Sequence, residues 1–302
     1  MKKIVVLGGG GFIGGHLAKR LKEEGNHVRV CDIKKHEYFF QDEFCHEFIL
    51  GDLTDPKVVE LVIEEGVDEV YQFAADMGGA LYIFTGEHDA DVMYNSATIN
   101  LNVVKECVKK KVGKVFYSSS ACMYPEHNQL DPENPNCEES SAYPANPDSE
   151  YGWEKLFSER MCRHFTEDFK LATSVARYHN IFGPLGTFDG GREKAPAALC
   201  RKIIEAKMNK KKEIDVWGDG EQTRSFLFID DCLNGTFDLF KSDYHEPLNI
   251  GSEEQVSINQ MISIIEEIAS SSLTTSSSQS SIKAIFPSLF NSRHNIILSS
   301  SL

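Results

Sequence analysis

The stretch VVLGGGGFIGGHLAKRL, residues 5–21, limits the possible folds more than any other part of this sequence. An apolar run ends in a glycine row and continues as an amphipathic helical pattern. Gly8, Gly11 and Gly14 fall at a G-x-x-G-x-x-G spacing between the two. Without side chains there, the backbone can approach a pyrophosphate at the helix amino terminus. The same rhythm continues downstream. Apolar runs at 4–7, 28–30, 48–50, 69–75, 114–117 and 171–176 alternate with stretches long enough for helices. That alternation predicts a parallel, doubly wound α/β sheet.

The predicted architecture is a Rossmann-type domain over 1–178, followed by a smaller mixed α/β lobe over 179–269 that interleaves with it and covers a ligand on the sheet's carboxyl edge. Within the lobe, EIDVW (213–217), RSFLF (224–228) and PLNI (247–250) read as short strands, and the basic run KMNKKK (207–212) as a loop or helix end. Asp32 closes the run VRVCD at the distance where a carboxylate accepts hydrogen bonds from an adenosine ribose and repels a 2′-phosphate. The expected cofactor is therefore NAD, held by Gly8, Gly11, Phe12, Ile13, Gly14, Asp32 and Asp52, with the run FAAD (73–76) as a wall at the strand ends. The net charge of −15 argues against general affinity for nucleic acid or an anionic membrane. No apolar run approaches the ~18 residues that a membrane span needs. The start MKKIVVLGGGGFIGG reads as a strand entering a glycine turn, so the expected compartment is the cytosol. Eight cysteines without a CxxC pair suit neither a disulfide framework nor a zinc site, and no metal is expected.

Tyr151 and Lys155, in EYGWEK, are spaced i and i+4, so a helix places them on one face. The ammonium could then draw the phenol down from its usual pKa of ~10 toward neutrality, where it can exchange a proton with a sugar hydroxyl. The hydroxyl row SSS (118–120) ends a predicted strand upstream and could bind the same oxygen. Cys122 follows it. A lone cysteine is most often apolar filler, but a thiol with a reference pKa of ~8.5 is also a usable base when cations lower it.

These motifs resemble the extended short-chain dehydrogenase/reductases that modify nucleotide sugars. Within that group AADMGG (74–79), SSACMYP (119–125), YHNIFGP (178–184), GGREKAPAALCRK (190–202) and WGDGEQTRSFLFIDD (217–231) resemble the GDP-mannose 3,5-epimerase family, over residues 1 to about 269. The resemblance implies an NAD-dependent isomerase acting on GDP-mannose: transient oxidation at C4, inversion at C5 and C3, then reduction. Tyr151, Lys155 and Ser120 would serve the redox step, Tyr151 and Lys155 also contacting the cofactor, with Cys122 as base and Lys194 as acid. It further implies substrate contacts from Gly78, Ser120, Ala121, Cys122, Asn180, Glu193, Lys194, Ala195, Lys202, Gln222, Thr223 and Arg224, and a homodimer. The runner-up activity is a plain nucleotide-sugar 4-epimerase, which needs no counterpart of Cys122 or Lys194.

The chain departs from that family after Ala269. Residues 270–302 hold 13 serines in 33 and no acidic residue, where the family continues as a folded segment with an arginine-bearing clamp on the diphosphate. This stretch is expected to be disordered, sugar-nucleotide binding to be weak without the clamp, and an inactive NAD-binding remnant is the remaining alternative.

Overall fold

A computed structural model describes residues 1–78, 80–128, 136–191, 193–216 and 218–272. Alternating strands and helices build the first half: β1 (Lys3–Leu7), α1 (Phe12–Glu23), β2 (His27–Asp32), α2 (Gln41–Phe44), β3 (Glu47–Leu50), α3 (Pro56–Val62), β4 (Glu69–Gln72), α4 (Ala80–Ile83), α5 (Asp89–Lys109), β5 (Lys114–Ser120), α6 (Glu150–Phe169) and β6 (Ala172–Tyr178). The second half adds β7 (Asn180–Phe182), α7 (Ala195–Met208), β8 (Thr223–Phe228), α8 (Ile229–Lys241), β9 (Leu248–Ile250), β10 (Gln255–Ser257) and α9 (Ile258–Ser272).

Among the described residues a seven-stranded sheet has the order β3-β2-β1-β4-β5-β6-β9, and every recorded pairing in it is parallel. Parallel sheets survive only with both faces covered, and β1 shows how. Ile4 and Val6 pack on one face with Leu17, Leu21, Phe237 and Phe240. Val5 and Leu7 pack on the other with Val59, Val103, Val104 and Val175. At the end of β1 the chain turns through Gly8 at φ +83°, where a Cβ would lie 2.6 Å from the Ala74 amide nitrogen. A Cβ on Gly14 would lie 2.4 Å from the Gly8 carbonyl oxygen, so α1 starts close against the turn only because both are glycine.

A second sheet, β10-β8-β7, carries the lobe: β8 runs antiparallel to β10 and parallel to β7. Its own core joins Leu199, Cys200 and Ile203 of α7 to Ile258, Met261, Ile265 and Ala269 of α9. Two expectations for this half are corrected. Residues 213–216 are not a strand, and Trp217 lies outside the described residues. The alternating Ile214 and Val216 pack on the lobe core, while the Asp215 carbonyl accepts from Lys202 Nζ at 2.8 Å instead of from a neighbouring strand. The PLNI run does form a strand, β9, but it extends the main sheet, Ala176 opposite Leu248, because Leu248 and Ile250 fill the core under α8. The KMNKKK run is the last turn of α7 and its exit. Helix α9 continues to Ser272, three residues into the serine-rich stretch; residues 273–302, on which the expectation of disorder falls, lie outside the described residues. No helix of the described residues is long and apolar enough to cross a membrane.

Candidate active site

The parallel sheet brings the ends of β1 to β6 to one edge, and the predicted residues from Gly8 to Lys155 lie along it, while those from Asn180 to Arg224 lie on the lobe. Gly11 caps α1 without any side-chain hydrogen bond, leaving the amides of Phe12, Ile13 and Gly14 at an uncapped helix start. Asp32 ends β2. Its Oδ2 accepts from the Gly10 amide at 2.9 Å and its Oδ1 from the Lys34 amide at 3.1 Å. Burial pushes the Asp32 carboxyl up, and the amides of Lys34 and Gly10 oppose it. Asp52 lies just past β3 and accepts from the Thr54 amide at 2.8 Å. A turn that admits only backbone, an uncapped helix start and an anchored carboxylate at the next strand end fit a dinucleotide.

Past β4, Asp76 accepts from Tyr82 Oη at 2.9 Å and from Asn95 Nδ2 at 2.8 Å, which fixes the loop carrying Gly78. A Cβ on Gly78 would lie 2.5 Å from the Tyr82 Cβ. Gly79 of the same motif lies outside the described residues.

Strand β5 runs on through the serine row to Ser120, which caps a short 3-10 turn, Ala121–Met123, by accepting from the Cys122 amide at 3.2 Å. Helix α6 begins at a Ser149 cap and passes so close that a Cβ on Gly152 would lie 2.1 Å from the Cys122 carbonyl oxygen. That glycine sets Tyr151 against Cys122 in one apolar cluster with Ile83 and Val92. Lys155 is buried between rings, its Nζ 5.0 Å from the Tyr117 centroid and 5.4 Å from that of Tyr151, and it donates to the Ser118 carbonyl at 2.8 Å.

The electrostatics correct one expectation. Burial raises the Tyr151 phenol above its usual range, and the Cys122 and Glu154 charges add to the rise, while a Ser120 hydrogen bond opposes it. The protein alone therefore does not bring the phenol toward neutrality, because removing a phenolate from water outweighs a lysine aimed at a backbone carbonyl. Burial also raises the half-buried Cys122 thiol; Ser120, Lys194 and Lys155 pull it back. Lys194 is the exposed residue at the N-cap of α7.

The remaining predicted residues divide. Glu193 pairs with Arg201 at 3.1 Å, and its other oxygen is buried with no partner among the described residues. Burial pushes its carboxyl up, but the amides of Glu193 and Gly191 and the Arg201 guanidinium hold it below the usual range. Ala121 packs beside Met123 and Tyr124, and Ala195 on the lobe core. Asn180 Nδ2 donates to the Ser225 carbonyl at 3.1 Å, joining β7 to β8. Gln222 and Thr223 are half-buried at the start of β8. Lys202 and Arg224 make their recorded hydrogen bonds within the lobe, to Asp215 and Thr223. Sequence reading missed the polar layer beneath the serine row. Glu159 accepts from Ser119 and pairs with Arg177 at 2.8 Å, and Arg177 Nη1 donates to Tyr124 Oη at 3.0 Å. Its signal was present: Glu159 follows Lys155 at i+4 on the face that meets β5 and β6.

Comparison with known proteins identifies the family. The NAD dependent epimerase/dehydratase family matches residues 4–251. The chain belongs to that family. It is 48% identical over 265 residues to a protein of Oryza sativa subsp. japonica named GDP-mannose 3,5-epimerase 1, covering 87% of this chain and 68% of the relative. It is 47% identical over the same length to the GDP-mannose 3,5-epimerase of Arabidopsis thaliana, with the same coverage. Among solved structures, the UDP-glucose 4-epimerase of Thermotoga maritima aligns with a TM-score of 0.76 at 24% identity, over 89% of this chain and 82% of that one, and so shares the fold. In this epimerase/dehydratase family member, the glycine turn lies at the end of β1 and Asp32 at the end of β2.

Proposed function

We propose that the chain is an NAD-dependent GDP-mannose 3,5-epimerase. The observation that carries this reading is Cys122, set against Tyr151 with the Lys194 charge acting on it. A plain 4-epimerase would need only Tyr151 and Lys155. NAD, when bound, accepts a hydride and gives it back. Tyr151 takes the proton of the C4 hydroxyl, with Ser120 bonded to the same oxygen and Lys155 stabilising the phenolate, and returns that proton at the end. Between those events C4 is a ketone, which acidifies the neighbouring C–H bonds. At C5 and at C3 in turn, Cys122 as thiolate removes the proton from one face and Lys194 supplies one from the other, each group exchanging its proton with solvent between inversions. Gly78, Ala121, Asn180, Glu193, Ala195, Lys202, Gln222, Thr223 and Arg224 hold the nucleotide sugar between the sheet edge and the lobe. The bare, buried oxygen of Glu193 is ready to accept a hydroxyl. Incubation with GDP-mannose in deuterated water should place deuterium at C3 and C5. Turnover at C4 without that label would make the chain a 4-epimerase instead.

The proposed assembly is a homodimer through α5 and α6. Tyr94 and Leu101 on α5 are 70% and 46% exposed, and Trp153 and Phe157 on α6 are 39% and 47% exposed. Their spacings, i to i+7 and i to i+4, give each helix one apolar stripe, and the two helices pack side by side. Sedimentation should give the mass of two chains, and Phe157→Asp the mass of one; an unchanged mass in the variant would move the interface elsewhere. The cytosol is the proposed location, in keeping with eight cysteines that are all unpaired.

A further inference from the structure

Glu154 precedes Lys155 on α6 and is 0% exposed. Its Oε1 accepts from Asn100 Nδ2 at 2.8 Å and Ser158 Oγ at 2.6 Å, and Gln72 Nε2 fixes Asn100 by donating to its Oδ1 at 2.7 Å. Its Oε2 is out of solvent and has no partner among the described residues. Donors converging on one oxygen suit a carboxylate, which only accepts. A carboxylate with a bare oxygen in the interior is costly unless a positive charge lies nearby.

The next residue on α6, Lys155, is 2% exposed, and Glu154 is the charge that most opposes the effect of burial on it. The titratable groups around it come from three elements. Helix α6 presents Glu154, Tyr151, Glu159 and Cys162, the 3-10 turn presents Cys122, and β5 presents Tyr117. Glu159 is committed to Arg177. Burial raises Cys162 to about 12 and Tyr117 well above its usual range, so both are neutral. Cys122 is raised by burial as well. Among the described residues, Glu154 is the carboxylate left to balance the buried lysine.

We propose that Glu154 is a positioning residue for the Tyr151–Lys155 pair, its carboxylate being the fixed counter-charge that keeps Lys155 an ammonium against Ser118 and the two phenol rings. The inference rests on the reading in which that pair carries the C4 redox step. Burial lowers the Lys155 pKa, and the Glu154 charge works against that. The same charge raises Tyr151. Removing it therefore lowers both: phenolate forms at lower pH, and the ammonium is lost at lower pH.

The test is Glu154→Gln, which keeps size and hydrogen bonding but not charge. Both limbs of kcat/KM against pH should move to lower pH by about one unit or more, with NAD affinity unchanged. Glu154→Asp, which keeps the charge, should leave the limbs in place. A purely structural role would lower activity alike at every pH. Independently of turnover, the Lys155 Cε resonance in protein carrying 13C-labelled lysine, assigned with Lys155→Arg, should titrate at lower pH in Glu154→Gln. If GDP-mannose is not inverted, the functional reading fails and the lysine titration alone decides this proposal. An unmoved Lys155 titration in Glu154→Gln, or an equal shift in Glu154→Asp, overturns it.

Discussion

Replacing Cys122 with serine should slow deuterium exchange at C3 and C5 by roughly 10²–10⁴-fold while leaving the C4 redox step largely intact. The local structure makes the substitution mild. Cys122 sits in a 3-10 turn whose start is fixed by Ser120, and its backbone carbonyl lies against Gly152 of α6. Serine keeps the turn and a polar group of similar size. It does not keep the chemistry, because an alkoxide is far harder to form than a thiolate. Burial already disfavours the thiolate here, with Ser120, Lys194 and Lys155 opposing it. Serine starts so much higher that the same neighbours cannot bring it within reach. Isotope exchange and the transient absorbance of reduced nicotinamide separate the two steps. Exchange at the wild-type rate would return Cys122 to the role of filler.

Arg177→Met should destabilise the fold by about 3–5 kcal/mol, the cost of leaving one partner of a buried ion pair alone. Glu159 would be stranded with its oxygens facing Ser119 and an apolar side chain. Arg177 also bonds the Tyr124 hydroxyl and the Glu139 carbonyl, and it lies 5.0 Å from the Tyr124 ring centroid. Removing both charges, as Arg177→Met with Glu159→Leu, should cost less than the single change. Urea unfolding of the two variants makes the comparison. A loss below about 1 kcal/mol in the single variant would mean that water or rearrangement replaces the pair.

The main sheet was legible because strands covered on both faces are apolar at consecutive positions, as in IVVL and KVFY, and helices of adequate length separate them. The lobe was harder to read. Strands β7 and β10 are three residues each, too short to show a period. Residues 213–216 carry a strand's alternation but spend it on packing against α7 and α9. PLNI reads the same in either sheet, and only the space beneath α8 decides which. At the candidate site, the glycine turn, Asp32, Ser120, Cys122, Tyr151 and Lys155 were visible as spacings. The charge states were not. Glu154, Glu159 and Arg177 look like ordinary surface residues in a helix and a strand, yet all three are buried. Whether a charged side chain is inside depends on what packs over its helix, which no local pattern reveals.

The placement of β9 has a consequence for synthesis. The main sheet receives its last strand at Leu248–Ile250, after β7, α7 and β8 of the lobe have already been made. The lobe receives β10 and α9 later still, and α9 supplies Ile258, Met261, Ile265 and Ala269 to its apolar core. During synthesis, then, the main sheet can be assembled in full while the lobe is still missing a strand and its closing helix. A nascent chain with residues up to Ile250 clear of the ribosome would carry a finished main sheet beside an incomplete lobe, and chaperones would meet the lobe, rather than the sheet, as the unfinished surface.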